Sequence, residues 1–124
     1  MTRETLALHE AVNKAVGMKC VFEDRPQRYL FGALNYGDIP GTRNAGDGDP
    51  WDVVAPGLGR RLPFGKPYTI SKVLGMLVLE NGNTKLAVRL RSVKGFDAAE
   101  ARAEMRRYAR GYMAHTGVKG TLIM

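Results

Sequence analysis

The alternation of apolar and polar residues divides the chain into two helical and several extended segments. Apolar residues recur every three or four positions near each end, which predicts helices over residues 2–16 and 96–113. Shorter apolar runs, rich in β-branched and aromatic residues, predict strands at 18–22, 29–36, 53–54, 68–79 and 85–91. The Asn81-Gly82 dipeptide predicts a hairpin between the last two strands. The pattern indicates an α+β, mainly β fold: a five- to six-stranded, OB-like closed barrel with an N-terminal and a C-terminal helix.

Length and composition favour one domain over residues 1–124. The chain is 44% hydrophobic and 25% charged, which is ordinary for a globular domain. No apolar run approaches the roughly 20 residues of a membrane span, and the N-terminus does not begin as a signal peptide. We therefore expect a cytoplasmic protein without a membrane partner. Cys20 is the one cysteine, so an intrachain disulfide is excluded, and its apolar neighbours predict a buried structural thiol.

The formal net charge of +7 calls for an anionic partner. Lysine and arginine are scattered along the chain, with short clusters at Arg60-Arg61, Arg89-Arg91 and Arg106-Arg107. Because no basic stretch is interleaved with aromatic residues, a single-strand nucleic-acid platform is disfavoured, although a nucleic-acid partner stays open. The diffuse charge suits a small polyphosphate anion at least as well.

An acidic turn is the candidate chemical site. Asp47, Asp49 and Asp52 follow the spacing D-x-D-x-x-D, and Gly48 and Pro50 between them predict a sharp turn. Converging carboxylates repel one another unless a cation lies among them, and oxygen ligands favour a hard cation. A solvated acidic turn is the alternative. An EF-hand is excluded, because its twelfth position would be Leu58 and not glutamate.

The residues around this turn resemble a known enzyme family. The run Asn35-Tyr36-Gly37-x-Ile39-Pro40-Gly41-Thr42, followed after a short loop by Asp47-Gly48-Asp49-Pro50-Trp51-Asp52-Val53-Val54, is similar to the motif of the soluble, magnesium-dependent inorganic pyrophosphatases. Both halves occur in order at the family's separation. Further similarity at Lys72–Leu77 and Lys85–Val88 extends the resemblance over roughly residues 20–90.

The resemblance implies hydrolysis of inorganic pyrophosphate to two phosphates inside an OB-like barrel, by a closed homo-oligomer with Mg²⁺, or Mn²⁺, as cofactor. It assigns the proton-accepting catalytic role to Asp49. The implied metal ligands are Asp47, Asp52, Asn83 and Glu80. The implied phosphate ligands are Arg25, Tyr36, Lys72, Lys85 and Tyr112.

The sequence also departs from the family pattern. Residues 2–16 are predicted to be helical where the family has a strand with an active-site lysine and glutamate. Asn81 and Asn83 stand near two metal-binding aspartates of the family, which predicts fewer or weaker metal sites, and Met113 replaces a phosphate-binding lysine. Two alternatives follow: a pyrophosphatase-like protein that binds phosphate-containing ligands or a partner without efficient turnover, and, less favoured, a basic nucleic-acid-binding barrel. His9 and His115 are both expected on the surface.

Overall fold

The computed structural model describes residues 3–25, 30–44 and 47–124. It contains two helices and six strands in the order α1 (Arg3–Ala15), β1 (Lys19–Phe22), β2 (Tyr36–Ile39), β3 (Trp51–Val54), β4 (Pro67–Leu79), β5 (Thr84–Leu90), α2 (Ala98–Thr116) and β6 (Gly120–Ile123).

Five of the strands close into a barrel of mixed direction. The hydrogen-bonded order is β1-β2-β3-β5-β4, and β4 pairs again with β1 to complete the circle. All of these pairs are antiparallel except β3–β5, which is parallel. The thirteen-residue β4 is long enough to pair with β1 at its start and with β6 at its end. The fold is therefore α+β and mainly β, with an OB-like barrel, as the sequence predicts.

Two apolar clusters hold the fold together, one on each side of the barrel wall. The inner cluster includes Phe22, Ile39, Val53 and Leu86, and Ala11 and Ala15 of α1 join it with no exposed surface. The outer cluster lies between the barrel and α2. Its buried members include Tyr36, Val54, Leu77, Leu79, Ala87, Met105 and Tyr108. Because side chains alternate along a strand, Tyr36 and Lys85 lie on the outer face beneath α2.

Helix α2 has defined ends. Asp97 is the N-cap, and its Oδ1 accepts a hydrogen bond from the Glu100 amide at 2.8 Å. Gly117, with φ of 73°, ends the helix in the left-handed conformation that favours glycine. Among the parts of the chain that the structure describes, neither helix is both long enough and apolar enough to cross a membrane.

The structure departs from the sequence predictions at two places. The segment predicted as a strand over 29–36 is turned from Leu30 onward, because Phe31 and Gly32 have positive φ values of 50° and 92°; Tyr29 lies outside the described residues. Strand β6 was not predicted from the sequence. Its four residues carry little pattern of their own, and they form a strand because β4 offers them a partner edge.

Three smaller predictions are confirmed. His9 and His115 are exposed. Cys20 is fully buried in the barrel, and burial raises the pKa of its thiol to about 12. The thiol is therefore protonated at neutral pH, as expected of an inert structural cysteine.

Candidate functional site

An ion pair lies at the centre of the site on the outer face of the barrel. Asp52 and Lys85 are register partners on the parallel pair β3–β5, so their side chains leave the sheet side by side. Lys85 Nζ lies 2.6 Å from Asp52 Oδ2 and donates a second hydrogen bond to the Tyr36 hydroxyl at 3.1 Å. The lysine side chain is 7% exposed and the aspartate 23%, so solvent screens this pair only partly.

Tyr36 brings a second cation to the same place. The Arg25 guanidinium lies 5.1 Å from the Tyr36 ring centroid, and Arg25 Nε is paired with Glu23 Oε2. Burial, followed by the neighbouring Tyr108 and Asp52, raises the pKa of the Tyr36 hydroxyl far above its ordinary value. The hydroxyl is therefore protonated at any physiological pH. It accepts from Lys85, and its own proton faces the Asp52 carboxylate, whose hydrogen bond also raises the Tyr36 pKa.

Helix α2 closes the site with aromatic rings. Lys85 Nζ lies 5.0 Å from the ring centroid of Tyr112, and Tyr108 lies between the Tyr36 and Tyr112 rings at centroid distances of 6.2 and 6.0 Å. Four residues predicted as phosphate ligands, namely Arg25, Tyr36, Lys85 and Tyr112, are thus brought together around Asp52. They come from four separate parts of the chain.

Asp38 is a site residue that sequence analysis missed. It is the register partner of Asp52 on the β2–β3 pair. Burial, followed by the charges of Glu23 and Asp52, raises the pKa of its carboxyl. The signal was present in the sequence: Asp38 stands two residues after Tyr36, and alternate residues of a strand share a face.

The acidic loop between β2 and β3 is tied to the β4–β5 hairpin. Asp47 Oδ2 accepts a hydrogen bond from Asn83 Nδ2 at 3.2 Å, and Asp47 Oδ1 accepts one from the Asp49 amide at 2.9 Å. Below this contact, buried Asn44 Oδ1 accepts hydrogen bonds from both the amide and the hydroxyl of Thr84, each at 3.1 Å. The loop and the hairpin therefore present Asp47 and Asn83 as neighbours, while the Asp49 side chain is exposed.

Glu80, predicted to bind metal, and Lys72, predicted to bind phosphate, lie apart from the ion pair and the acidic loop in the described structure. Glu80 is exposed on the hairpin, and its amide donates to the Lys119 carbonyl at 2.9 Å. Lys72 lies on β4 opposite Arg89 of β5. The β4 residue opposite Lys85 is Leu77, which stands five residues after Lys72. Five residues of strand separate two positions by roughly 16 Å. Lys72 instead lines a basic cavity with Arg89 and Arg102.

The oxygen donors of the loop fit a hard cation that is only partly held by protein. Asn83 Oδ1 is buried and has no hydrogen-bond partner among the described residues, so it is an acceptor beside the Asp47 carboxylate. The predicted convergence of Asp47, Asp49 and Asp52 is wrong: in the described ranges, no group of three or more His, Cys, Asp or Glu side chains is placed to hold a metal ion, and the Asp52 carboxylate is paired with Lys85. Mg²⁺ commonly takes one or two protein oxygens and completes its shell with water and substrate phosphate, and this donor set matches that mode.

Comparison with known proteins gives no assignment: no protein-family model matches the chain, and no curated protein matches it.

Proposed function

We propose that the protein hydrolyses inorganic pyrophosphate to two phosphates in a Mg²⁺-dependent reaction. The observation that carries this proposal is the convergence of Arg25, Tyr36, Lys85 and Tyr112 beside Asp52. All four are phosphate ligands in the resemblance to the pyrophosphatases, and their proximity in the structure supports that resemblance. The residues are far apart in sequence, and apolar packing alone would not require two cations and a tyrosine hydroxyl at one place.

The side chains of the site suit a phosphate group. Lys85 uses two of its three N–H donors on Asp52 and Tyr36 among the described residues, and the third is free for a phosphate oxygen. A phosphate oxygen would compete with Asp52 for the hydrogen bond of the Tyr36 hydroxyl. The Arg25 guanidinium offers the planar fork that binds phosphate in a bidentate manner. Asp49, exposed at the loop, would accept the proton of the attacking water.

In this proposal, Asp47 and Asn83 would hold Mg²⁺ together with substrate oxygens, whereas Asp52 is paired with Lys85 and Glu80 lies apart. When bound, the ion would neutralise charge on the phosphoryl groups and favour attack by water at neutral pH. Mn²⁺ would serve in the same place.

Phosphate release from pyrophosphate tests the proposal. We expect Mg²⁺-dependent release by the wild-type protein and about a 100-fold lower kcat for Asp49→Asn, the typical contribution of a general base. The Asp49 side chain is exposed, so this variant should fold normally. Glu100→Gln, an equal charge change on the exposed part of α2, is the control and should keep full activity. Absence of release by the wild-type protein at any Mg²⁺ concentration would refute hydrolysis.

A second candidate is a protein that binds phosphate-containing ligands with little turnover. The 2.6 Å ion pair favours it, because Lys85 neutralises the carboxylate that the resemblance assigns to metal. Helix α1 also occupies the sequence region in which the family has its lysine- and glutamate-bearing strand. Pyrophosphate binding by calorimetry without phosphate release would select this candidate.

Metal binding at the acidic loop predicts a charge-dependent thermal shift. Millimolar Mg²⁺ should raise the melting temperature by about 5 °C, because a ligand of the folded state stabilises it by mass action. Asn83→Asp should melt below wild type in EDTA, since two carboxylates then face each other, and should gain a larger shift in Mg²⁺ or Mn²⁺.

Asn81→Asp is the matched control for this experiment. It adds the same charge on the exposed part of the hairpin and keeps the oxygen that accepts from the Asn83 amide. Its metal-induced shift should equal that of wild type. Equal shifts for Asn83→Asp and wild type would place residue 83 outside any metal site.

We also propose that the protein works in the cytoplasm as a homo-oligomer. Val12 and Val16, one turn apart on and just after α1, are 40% and 45% exposed, and association would bury such an apolar strip. Light scattering at tens of micromolar protein should give a molar mass of at least twice the 13.6 kDa of one chain. Val12→Glu should shift the population towards the monomer, whereas a monomeric wild type would remove the proposal.

A further inference from the structure

A cavity of about 400 Å³ lies at the mouth of the barrel, away from the Lys85–Asp52 pair. It is bounded by helix α1, by the loop between β2 and β3, and by the β4–β5 hairpin. We call it the Trp51 cavity, after the side chain that forms one wall. Its lining also includes Glu10, Lys14, Arg43, Met76 and Val78. None of the residues assigned to the proposed hydrolytic site lines it.

The wall and floor of the Trp51 cavity are apolar and fixed. Trp51 is held at both ends, since its amide donates to Thr42 Oγ1 at 2.9 Å and its indole N–H donates to the Arg43 carbonyl at 2.8 Å. The polar atom of the ring is therefore satisfied, and the ring can offer an apolar stacking surface. Met76 and Val78 are almost fully buried members of the inner cluster and supply the floor.

The rim of the cavity is positively charged. Lys14 Nζ lies 5.9 Å from the Trp51 ring centroid, and Arg43 lines the same opening and the depression beside it. In the described part of the chain, the ion pairs involve Arg25, Arg61, Lys85 and Arg107, so neither Lys14 nor Arg43 belongs to one of them. Glu10 is the one acidic side chain of the lining, which leaves one net positive charge.

We propose that the Trp51 cavity is a binding site for a small organic anion with a flat apolar body. The body lies against Trp51 on the apolar floor, and the acidic group, a carboxylate, sulfonate or phosphate ester, pairs with Lys14 and Arg43 at the rim. The volume suits a ligand of one or two rings. This site is independent of pyrophosphate hydrolysis and stands whether or not the protein is an enzyme.

Two matched dyes test the proposal. The probe is 1-anilinonaphthalene-8-sulfonate, and N-phenyl-1-naphthylamine provides the same rings without the charge. Trp51 is the one tryptophan of the chain, so energy transfer from its emission measures binding of the dye, and variants of the cavity rim locate the bound dye. We expect saturable binding of the sulfonate at one site per chain, with quenching of Trp51, and weaker binding of the neutral dye.

The charge requirement is tested with two double variants. Lys14→Gln with Arg43→Gln should weaken binding of the sulfonate about tenfold, because two charge contacts are lost, and should leave the neutral dye unchanged. Arg102→Gln with Arg110→Gln removes the same charge from the exposed face of α2 and should change neither dye. Far-ultraviolet circular dichroism checks that each variant is folded.

Three outcomes would overturn the site. Equal affinity for the two dyes would remove the anionic requirement. An unchanged affinity in the Lys14–Arg43 double variant would place the dye elsewhere on the protein. An equal loss in the α2 double variant would show that the dye responds to net charge and not to the cavity rim.

Discussion

Replacement of Lys85 by methionine is expected to lower the free energy of unfolding by about 3 kcal/mol, which corresponds to a fall in melting temperature of about 10 °C for a domain of this size. Methionine keeps most of the length and apolar contact of lysine but removes the charge. The Asp52 carboxylate then loses the cation that lies 2.6 Å away, and it stays only 23% exposed. Its partial exposure puts the expected loss at the lower end of the range for buried pairs.

A double-mutant cycle separates the ion pair from the rest of the lysine. Adding Asp52→Asn to Lys85→Met removes the unpaired charge, so the double variant should recover part of the lost stability, with a coupling energy of about 2 kcal/mol. The remaining deficit reports the lost hydrogen bond to Tyr36 and the contacts with the Tyr36 and Tyr112 rings. Urea unfolding of the four proteins measures each value.

The exposed ion pair on α2 supplies the control. Arg107 Nη2 lies 3.0 Å from Glu100 Oε1, and both side chains are about half exposed. Arg107→Met should therefore cost no more than about 0.5 kcal/mol, because water screens the pair. A loss below 1 kcal/mol in Lys85→Met, or no coupling to Asp52, would show that the central ion pair does not hold the site together.

The elements with strong local patterns could be predicted from the sequence, whereas those that depend on distant partners could not. The periodicity of α2, the long apolar β4 and the Asn81-Gly82 turn are local properties, and each lies where it was predicted. Strand β6 is specified by the free edge of β4, about forty residues earlier in the chain. The apolar run from Leu30 fails as a strand because its backbone turns at Phe31.

The site shows the same division. The predicted ligands Tyr36 and Lys85 follow from a sequence motif. Their mutual contact depends on the antiparallel register of β2 on β3 and on the parallel register of β3 on β5, which no local pattern contains. Asp38 could have been found from its spacing to Tyr36. The pairing of Asp52 with Lys85 could not, because a sequence read for metal ligands gives no reason to place a lysine against one of them.

Glu104 is a buried acid on helix α2 that the sequence pattern does not single out. It is 2% exposed, on the face of α2 that packs against the barrel, three residues after Ala101 and four before Tyr108. Its Oε2 accepts from the Leu34 amide and its Oε1 from the Gly57 amide, each at 3.3 Å. One carboxylate thus joins α2 to the turn before β2 and to the loop after β3.

The Gly57 contact explains why this loop approaches the helix so closely. Gly57 has a φ of 87°, and a Cβ at this position would lie 2.6 Å from the Asp97 carbonyl oxygen and 2.9 Å from Ala101 Cβ. Glycine lets the backbone reach the helix, and Glu104 accepts from the amide that is buried as a result. Removal of either oxygen leaves a buried N–H without its partner.

We expect Glu104→Gln to lower the free energy of unfolding by about 2 kcal/mol at pH 7. The NH₂ group of the glutamine would face the backbone N–H of either Leu34 or Gly57 and cannot accept its hydrogen bond. Glu100→Gln, on the exposed part of the same helix, is the control and should change stability by about 0.5 kcal/mol or less. Urea unfolding at pH 7 compares the two variants with wild type.

The pH dependence gives a sharper test of the same residue. The pKa of Glu104 is raised above its ordinary value of 4.5, and burial is the largest cause. The hydrogen bonds from Gly57 and Leu34 and the charge of Arg107 lower this pKa, whereas the charge of Glu100 raises it further. The folded state therefore holds the Glu104 proton more tightly than the unfolded state. Stability from this group is fully present below pH 4.5 and is lost as the pH rises through the folded pKa.

The free energy of unfolding of wild type and of Glu104→Gln is compared from pH 4 to pH 8. The advantage of wild type should be largest at the acidic end and should fall as the pH rises. Above the folded pKa of Glu104 it should stay constant at the value found at pH 7. The difference between the two proteins cancels the titration of the other carboxylates. The Glu100→Gln difference should stay nearly flat. An advantage that grows with pH would mean that the two backbone hydrogen bonds outweigh burial and that the folded protein prefers the charged carboxylate.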